Sequence, residues 1–206
     1  MNQQTVGILI FDDVEVLDFC GPFEVFAATR WPGQDTPEAE RPFQVLTIAE
    51  HAGVVRCRGG LLTQPHHTID DHPPLDILLV PGGWGTRRAA NNAHLLDWIA
   101  AQSAQVSYTT SVCTGAFLLA ARGLLDGLPA TTHWGSIRRL QDSYPAVQVQ
   151  ADVRYVDTGT VLTSAGVSAG IDMALHLVGR LLGPEVAAAT AREMEYTPAT
   201  APAYTS

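Results

Sequence analysis

The sequence predicts an α/β protein built on a mostly parallel sheet that is covered by helices on both faces. Apolar stretches of strand length alternate with stretches whose apolar residues recur at helical spacing. The strand candidates are apolar at consecutive positions, as expected of strands buried on both faces. Small residues and glycine follow several of these strands, where a helix can begin. Together these observations predict helices packed on both sides of one sheet.

The first half of the chain predicts three strands and two helices. The apolar strand candidates end in turn residues, and the helix candidates follow them. In chain order they are a strand at 5–11, a helix at about 21–29, a strand at 43–49, a strand at 76–83 that ends in glycines, and a helix at 94–102. Residues 31–42 are rich in proline and charge and predict a loop.

The second half predicts a strand at 106–111, a helix at 114–125 and a hairpin that turns at residues 157–159. A last helix begins at about Ile171 and ends at Gly183, a residue type favoured at helix C-termini. No composition shift marks a domain boundary, so we expect one domain over 1–196. Residues 197–206 offer little to bury and predict a flexible tail.

Composition excludes several classes of function. The chain has 206 residues, is 46% hydrophobic, and contains no run near the roughly 20 apolar residues of a membrane span. Its start has no basic region typical of a signal peptide, so we expect a cytoplasmic protein without membrane partners. A net charge of −9 with only 12 Lys+Arg argues against nucleic-acid binding. Three cysteines without CxxC spacing predict neither disulfides nor a zinc site.

Four turns carry the side chains and amides of a candidate site. They are residues 18–21, 81–83, 112–115 and 163–166, each placed after a predicted strand. Ligands of open α/β sheets bind at the carboxyl ends of strands, where such turns converge. We therefore expect these turns to meet in one crevice that binds a small molecule.

Cys113 lies where an apolar strand passes into an apolar helix. A thiol at a helix N-terminus has a lowered pKa and can act as a nucleophile. The alternative is a buried, inert cysteine, since free cysteine is among the most buried residue types. From the residues alone both interpretations stay open.

Asp18, Gly83 and Thr114 are the other catalytic candidates, each with a structural alternative. Asp18 is either a helix N-cap before Gly21 and Pro22 or a half-buried carboxylate that moves protons beside the thiol. Residues 81–85 (PGGWG) form either a plain tight turn or part of an oxyanion hole, with the amides of Gly83 and Thr114 facing developing charge.

Other candidates have weaker support. Residues 65–74 contain three His and two Asp, but irregular spacing and prolines favour a solvated loop over a metal site. His133 is either a hydrogen-bonded structural residue or a catalytic base. We expect Cys20 to pack under the first turn and Cys57 to lie on a surface hairpin.

Four stretches together resemble the ThiJ/PfpI superfamily, which is related to class I glutamine amidotransferases. They are VEVLDFCGPFEVF, LLVPGGWGTR, TTSVCTGAFLLAARGLLDGLPATTHW and LTSAGVSAGIDMALHLV, so the resemblance runs from about Val6 to Pro198. It implies a flavodoxin-like three-layer sandwich, a homodimer and a nucleophile elbow. The elbow cysteine falls on Cys113 and the partner carboxylate on Asp18.

Two departures from the family pattern narrow the implied function. Many members use Glu where this chain has Asp18, and the protease-like branch has His where this chain has Thr114. LDFCGP, the Thr after Cys113 and ATTHW resemble the isocyanide hydratase branch. Ligand-sensing domains of AraC-type regulators share many of these motifs, but carry a basic DNA-binding domain after them. The chain ends at Ser206 in a polar tail, so we expect no DNA-binding regulator.

The resemblance implies a cofactor-independent lyase that converts isocyanides into N-substituted formamides. Cys113 would attack the isocyanide carbon, Asp18 would carry protons, and Thr114 would orient both. Candidate residues for the apolar pocket are Phe19, Trp84, Val112, Trp134 and Val167, with His133 nearby. The alternatives are a glyoxalase or deglycase acting on small oxoaldehydes, and a cysteine-based redox or small-molecule sensor.

Overall fold

The computed structural model describes residues 3–31, 33, 36, 40–199 and 204–205. Long strands alternate with helices along most of this chain. The strands are β1 (Gln4–Leu9), β2 (Phe43–Ala49), β3 (Val55–Arg56), β4 (Leu62–Thr63), β5 (His67–Thr68), β6 (Ile77–Val80), β7 (Tyr108–Val112), β8 (Pro129–Ala130), β9 (Gln148–Val149), β10 (Tyr155–Asp157), β11 (Val161–Ser164) and β12 (Tyr204–Thr205). The α-helices are α1 (Val16–Ala28), α2 (Thr86–Ala89), α3 (Ala93–Ser103), α4 (Ala116–Ala120), α5 (Ile137–Ser143), α6 (Ala169–Leu182) and α7 (Pro184–Glu193).

Eight of these strands form the central sheet in the order β12-β10-β11-β7-β6-β1-β2-β5. Every neighbouring pair is parallel except β10 and β11, which form the predicted antiparallel hairpin. The prediction of a mostly parallel sheet is therefore confirmed. The strands β7, β6 and β1 lie in its interior, so their carboxyl ends open near one another at one edge.

Two apolar layers bury the two faces of the sheet. On β6, Ile77 and Leu79 join the layer that contains α1, α6 and α7, whereas Leu78 and Val80 join the layer that contains α3 and α4. All four side chains are fully buried. This arrangement explains the consecutive apolar residues of the strands, because successive side chains point to opposite faces and both faces are covered.

The first helix begins five residues earlier than the sequence predicts. Pro22 favours the first turn of a helix, yet it lies inside α1, which starts at Val16. Gly21 allows α1 to pack closely on α6, since a Cβ there would come within 2.8 Å of Ile171. The predicted start at Gly21 is therefore wrong, and Asp18 lies in the first turn of the helix.

Other element boundaries also differ from those that the sequence predicts. The helix predicted at 114–125 is a 3₁₀ turn over Cys113–Gly115 followed by the five-residue α4, and α7 was not predicted. Gly183 ends α6 as expected, with φ of 104°. Residues 32, 34–35 and 37–39 of the predicted loop and residues 200–203 and 206 of the predicted tail lie outside the described residues. Within the described part, no helix is long and apolar enough to cross a bilayer.

Candidate active site

Three strand ends and the first turn of α1 meet at the carboxyl edge of the sheet. β6 leads into Gly82 and Gly83, β7 into Cys113, and β11 into the turn at residues 165–168. Hydrogen bonds join the turns after β6 and β11 to Asp18 of α1, although these two turns and Asp18 are far apart along the chain. The predicted turns are thus brought together around Asp18 and Cys113.

Cys113 occupies a left-handed backbone conformation, with φ of 57°. A non-glycine residue pays on the order of 1–3 kcal/mol for such a conformation, so its surroundings must hold it. Its N–H donates to the Ala165 carbonyl at 3.1 Å, and its carbonyl accepts the Thr132 hydroxyl at 2.7 Å. Two residues on, a Cβ on Gly115 would lie 2.0 Å from the Val80 carbonyl oxygen, so the turn requires glycine there.

Asp18 is fully buried and binds two backbone amides that lie on other elements. Its Oδ2 accepts from the Gly82 N–H and its Oδ1 from the Val167 N–H, both at 3.0 Å. The N-cap of α1 is Glu15, whose side chain makes no capping bond. The N-cap interpretation of Asp18 is therefore wrong, and its carboxyl is more deeply buried than expected.

Burial raises the pKa of Asp18 from 3.8 to about 7, although the amides of Gly82 and Val167 lower it and the charge of Glu15 raises it. Near neutral pH this carboxyl can therefore both donate and accept a proton. Burial and the neighbouring Asp18 charge also raise the pKa of the Cys113 thiol to about 12.

The prediction of a lowered thiol pKa is therefore wrong. The 3₁₀ turn and five-residue α4 after Cys113 offer few aligned peptide dipoles. Cys113 is only 6% exposed, so the loss of solvation of its thiol outweighs the effect of these dipoles. The Thr114 amide and hydroxyl do lower the thiol pKa, but by less than burial raises it.

The Gly83 amide serves the turn itself. It donates to Thr114 Oγ1 at 3.0 Å, and the Thr86 hydroxyl lies 3.2 Å from the same oxygen. Gly83 is therefore not free to bind a substrate oxyanion as predicted, whereas the Thr114 amide faces the thiol. Among the described residues no hydrogen bond joins the Thr114 hydroxyl to Asp18, whereas this hydroxyl does contact the Cys113 thiol.

Gly82 and the backbone of Val167 are functional groups that sequence reasoning missed. A Cβ on Gly82 would lie 2.5 Å from the Thr114 nitrogen and 2.9 Å from Asp18 Oδ2, so only glycine fits between them. In the sequence, the glycine doublet after β6 was the feature that could have indicated this requirement for glycine. Val167 was predicted as pocket lining, but its amide is what binds Asp18, and its φ is also left-handed at 57°.

The predicted pocket residues divide into buried and exposed groups. Phe19 and Val112 are buried in the core on the α1 and α6 side, which makes both poor candidates for substrate contact. Trp84 is 63% exposed beneath the Arg58 guanidinium, and Trp134 is 82% exposed. His133 is half-buried: its ring packs at a tilt against Trp134 and lies over Gly166, while its Nδ1 accepts the Gly135 N–H.

The remaining candidates lie away from this site. Cys57 follows the hairpin strand β3 but is buried, so its predicted surface position is wrong, because its side chain joins the core beneath the hairpin. Cys20 is half-buried against the same core. Residues 67–68 form the edge strand β5 rather than part of a loop. In the described part of the chain, no group of three His, Cys, Asp or Glu could hold a metal.

Comparisons with known proteins agree with this fold. Residues 4–180 match the DJ-1/PfpI family. The chain is 38% identical over 194 residues to "Isonitrile hydratase" of Pseudomonas putida, covering 94% of this chain and 79% of that protein. It is 30% identical over 95% of its length to "HTH-type transcriptional regulator GbdR" of Pseudomonas aeruginosa, and spans about half of that regulator, 51%.

A solved structure shares the whole architecture. It is a ThiJ/PfpI family protein from Pseudomonas syringae, which is 31% identical and superposes with a TM-score of 0.84 over 97% of this chain and 77% of the other. The flavodoxin-like α/β fold implied by the sequence motifs is therefore confirmed.

Proposed function

The chain belongs to the DJ-1/PfpI family, and we propose that it is an isocyanide hydratase that converts R–N≡C and water into an N-substituted formamide. The observation that carries this proposal is the Cys113–Asp18 pair. The thiol sits on a left-handed turn beside a buried carboxyl whose pKa is about 7. The 38% identity to the isonitrile hydratase of Pseudomonas putida supports the same reaction.

The first half of the reaction adds Cys113 to the terminal isocyanide carbon. Asp18 takes the thiol proton as sulfur forms its bond to carbon, and then delivers that proton to the same carbon. The product is a thioimidate, Cys113 S–CH=N–R, with Asp18 again ionised. When Asp18 takes up the proton its charge disappears, so it no longer opposes the thiolate, and the Thr114 amide stabilises the sulfur charge.

The second half adds water to the thioimidate carbon. Asp18 accepts a proton from water as the oxygen attacks and passes it to the substrate nitrogen, which gives the tetrahedral intermediate Cys113 S–CH(OH)–NH–R. The C–S bond then breaks as the hydroxyl proton passes through Asp18 to the Cys113 sulfur, which releases R–NH–CHO and leaves Asp18 ionised again. Two steps replace one difficult hydration, which is the advantage of covalent catalysis.

The direct test is hydration of an aryl isocyanide by the purified protein, followed as formation of the formamide. We expect Cys113→Ala to abolish turnover, while the matched Cys20→Ala retains it because Cys20 lies outside the site. Rapid quenching followed by mass spectrometry should find the isocyanide mass on the Cys113 peptide. Formamide formation by Cys113→Ala, or methylglyoxal turnover faster than isocyanide turnover, would refute the proposal.

A second candidate is a sensor domain that binds a small molecule at the same site without converting it. The observation in its favour is the 30% identity to GbdR over 95% of this chain. No turnover of aryl isocyanides or oxoaldehydes, together with peroxide-dependent oxidation of Cys113, would favour this candidate.

A further inference from the structure

The turn between β11 and α6 supplies one of the two backbone amides that bind Asp18, and the backbone of this turn is strained. Val167 donates its N–H to Asp18 Oδ1 from a left-handed backbone with φ of 57°. A β-branched residue is especially unfavourable there, so it would relax to an extended conformation if it were free to do so. Neighbouring groups must therefore hold the turn at residues 165–168 in place.

Arg154 contacts both ends of this turn. Its backbone carbonyl accepts the Ala165 N–H at 2.9 Å, and its Nη2 donates to Ser168 Oγ at 3.3 Å. Its Nε donates to Asp172 Oδ2 at 2.7 Å, and Nη2 binds the same oxygen. The arginine therefore ties the residues before and after Val167 to the first turn of α6.

Asp172, the partner of Arg154, is itself held in place by other parts of the chain. Its side chain is only 5% exposed, and its second oxygen accepts from the Tyr196 hydroxyl and the Ala199 N–H, both at 3.1 Å. Both carboxylate oxygens are thus occupied, and the ion pair cannot swing away without leaving a buried charge unpaired. Such a loss is costly in the protein interior.

We propose that Arg154 is a positioning residue for the reaction: through Ser168 and Asp172 it keeps the Val167 amide on the Asp18 carboxylate. The inference rests on the proposed function in that Asp18 carries the proton. Arg154 itself lies behind the turn and would not touch the substrate. Its effect on Asp18 passes through a single hydrogen bond, from the Val167 N–H to the Asp18 carboxylate.

The expected consequence is a change in the proton affinity of Asp18. The Val167 amide is one of two backbone donors that lower the pKa of this carboxyl toward 7. If the turn relaxes, the ionised carboxylate loses that donor, so the pKa of Asp18 rises. At neutral pH less Asp18 is then ionised, and less of it can accept the Cys113 proton.

The test is the pH dependence of Cys113 alkylation by iodoacetamide, read from the Cys113 peptide by mass spectrometry. This rate should increase as Asp18 ionises, whether or not isocyanides are substrates. Arg154→Gln should move the midpoint to higher pH, and Ser168→Ala should move it less in the same direction. The matched control is Arg180→Gln, which removes an Arg–Asp pair with Asp157 at the other end of α6.

The possible outcomes test the positioning role of Arg154 separately from the hydratase proposal. Loss of stability in Arg154→Gln and Arg180→Gln alike, with neither midpoint moved, would reduce Arg154 to a structural ion pair. A shift in Arg154→Gln alone supports the positioning role, even if no formamide forms and the hydratase proposal fails. If Arg154→Gln does not fold, Ser168→Ala and Arg154→Lys carry the test, and unchanged midpoints in both overturn the proposal.

Discussion

At the scale of single residues, the burial of Asp18 has a cost in stability. An aspartate that ionises at about pH 7 in the folded protein and near 3.8 when exposed binds its proton more tightly in the folded state. As pH rises from about 4 to 7, the unfolded chain therefore ionises first. The free energy of unfolding falls over this window and is constant above it, so Asp18 costs stability at neutral pH.

We therefore expect Asp18→Asn to gain stability relative to wild type as pH rises through that window. The gain is on the order of 4 kcal/mol at most, because each pKa unit corresponds to about 1.4 kcal/mol. It is smaller in practice, since the asparagine NH₂ faces one of the two backbone donors. Urea unfolding of both proteins at pH 4, 5.5 and 8 measures the change.

The same substitution removes the proton carrier. Turnover of an aryl isocyanide should fall by at least about 100-fold, the usual scale of general acid–base catalysis. A stability difference that does not vary with pH, or full turnover in Asp18→Asn, would contradict the assignment.

At the scale of elements, the two ends of α6 are built differently. Arg154 binds Ser168 and Asp172 at its N-terminal end, whereas its C-terminal end stops at Gly183. Gly183 has φ 104° and ψ 150°, a region that only glycine adopts readily. Gly179, one turn earlier, lies inside the helix, where a Cβ would meet Ala187 Cβ at an ordinary 3.5 Å.

We expect Gly183→Ala to lower the free energy of unfolding by about 1–3 kcal/mol, the cost of forcing a side chain into this conformation. The matched Gly179→Ala should be neutral or raise it by up to about 1 kcal/mol, since alanine favours a helix interior. Thermal or urea unfolding of both variants provides the comparison. Equal effects of the two substitutions would show that the C-terminus of α6 tolerates other conformations.

At the scale of the whole molecule, three large apolar side chains are exposed on the β3–β4 hairpin and on the turn after β6. Leu61 and Leu62 of the β3–β4 hairpin are 47% and 56% exposed, and Trp84 is 63% exposed. Arg58 of the same hairpin reaches toward this turn, with its guanidinium 4.8 Å from the centre of the Trp84 ring and 2.6 Å from Glu15 before α1. Exposed apolar patches of this kind often mark protein–protein interfaces.

We expect a second copy of the chain to cover this surface, in a two-fold homodimer. Light scattering at micromolar concentration should then give about twice the chain mass of 22.0 kDa. The double substitution Leu61→Glu and Leu62→Glu should shift the mass toward the monomer, because it would bury charges in the interface. A wild-type monomer, or a dimer unaffected by both glutamates, would exclude this surface.

The sequence by itself determined the parallel sheet covered on both faces and the hairpin at residues 157–159. It also identified Cys113 and Asp18 as the candidate nucleophile and its partner carboxylate. These features depend on apolar spacing and turn chemistry, which neighbouring residues encode. Only the tertiary structure decided that α1 starts at Val16, that the Gly83 amide is occupied, and that burial raises the thiol pKa. The physical reason is that solvation and hydrogen-bond partners come from packing: one of the two amides that bind Asp18 belongs to Val167, 149 positions away.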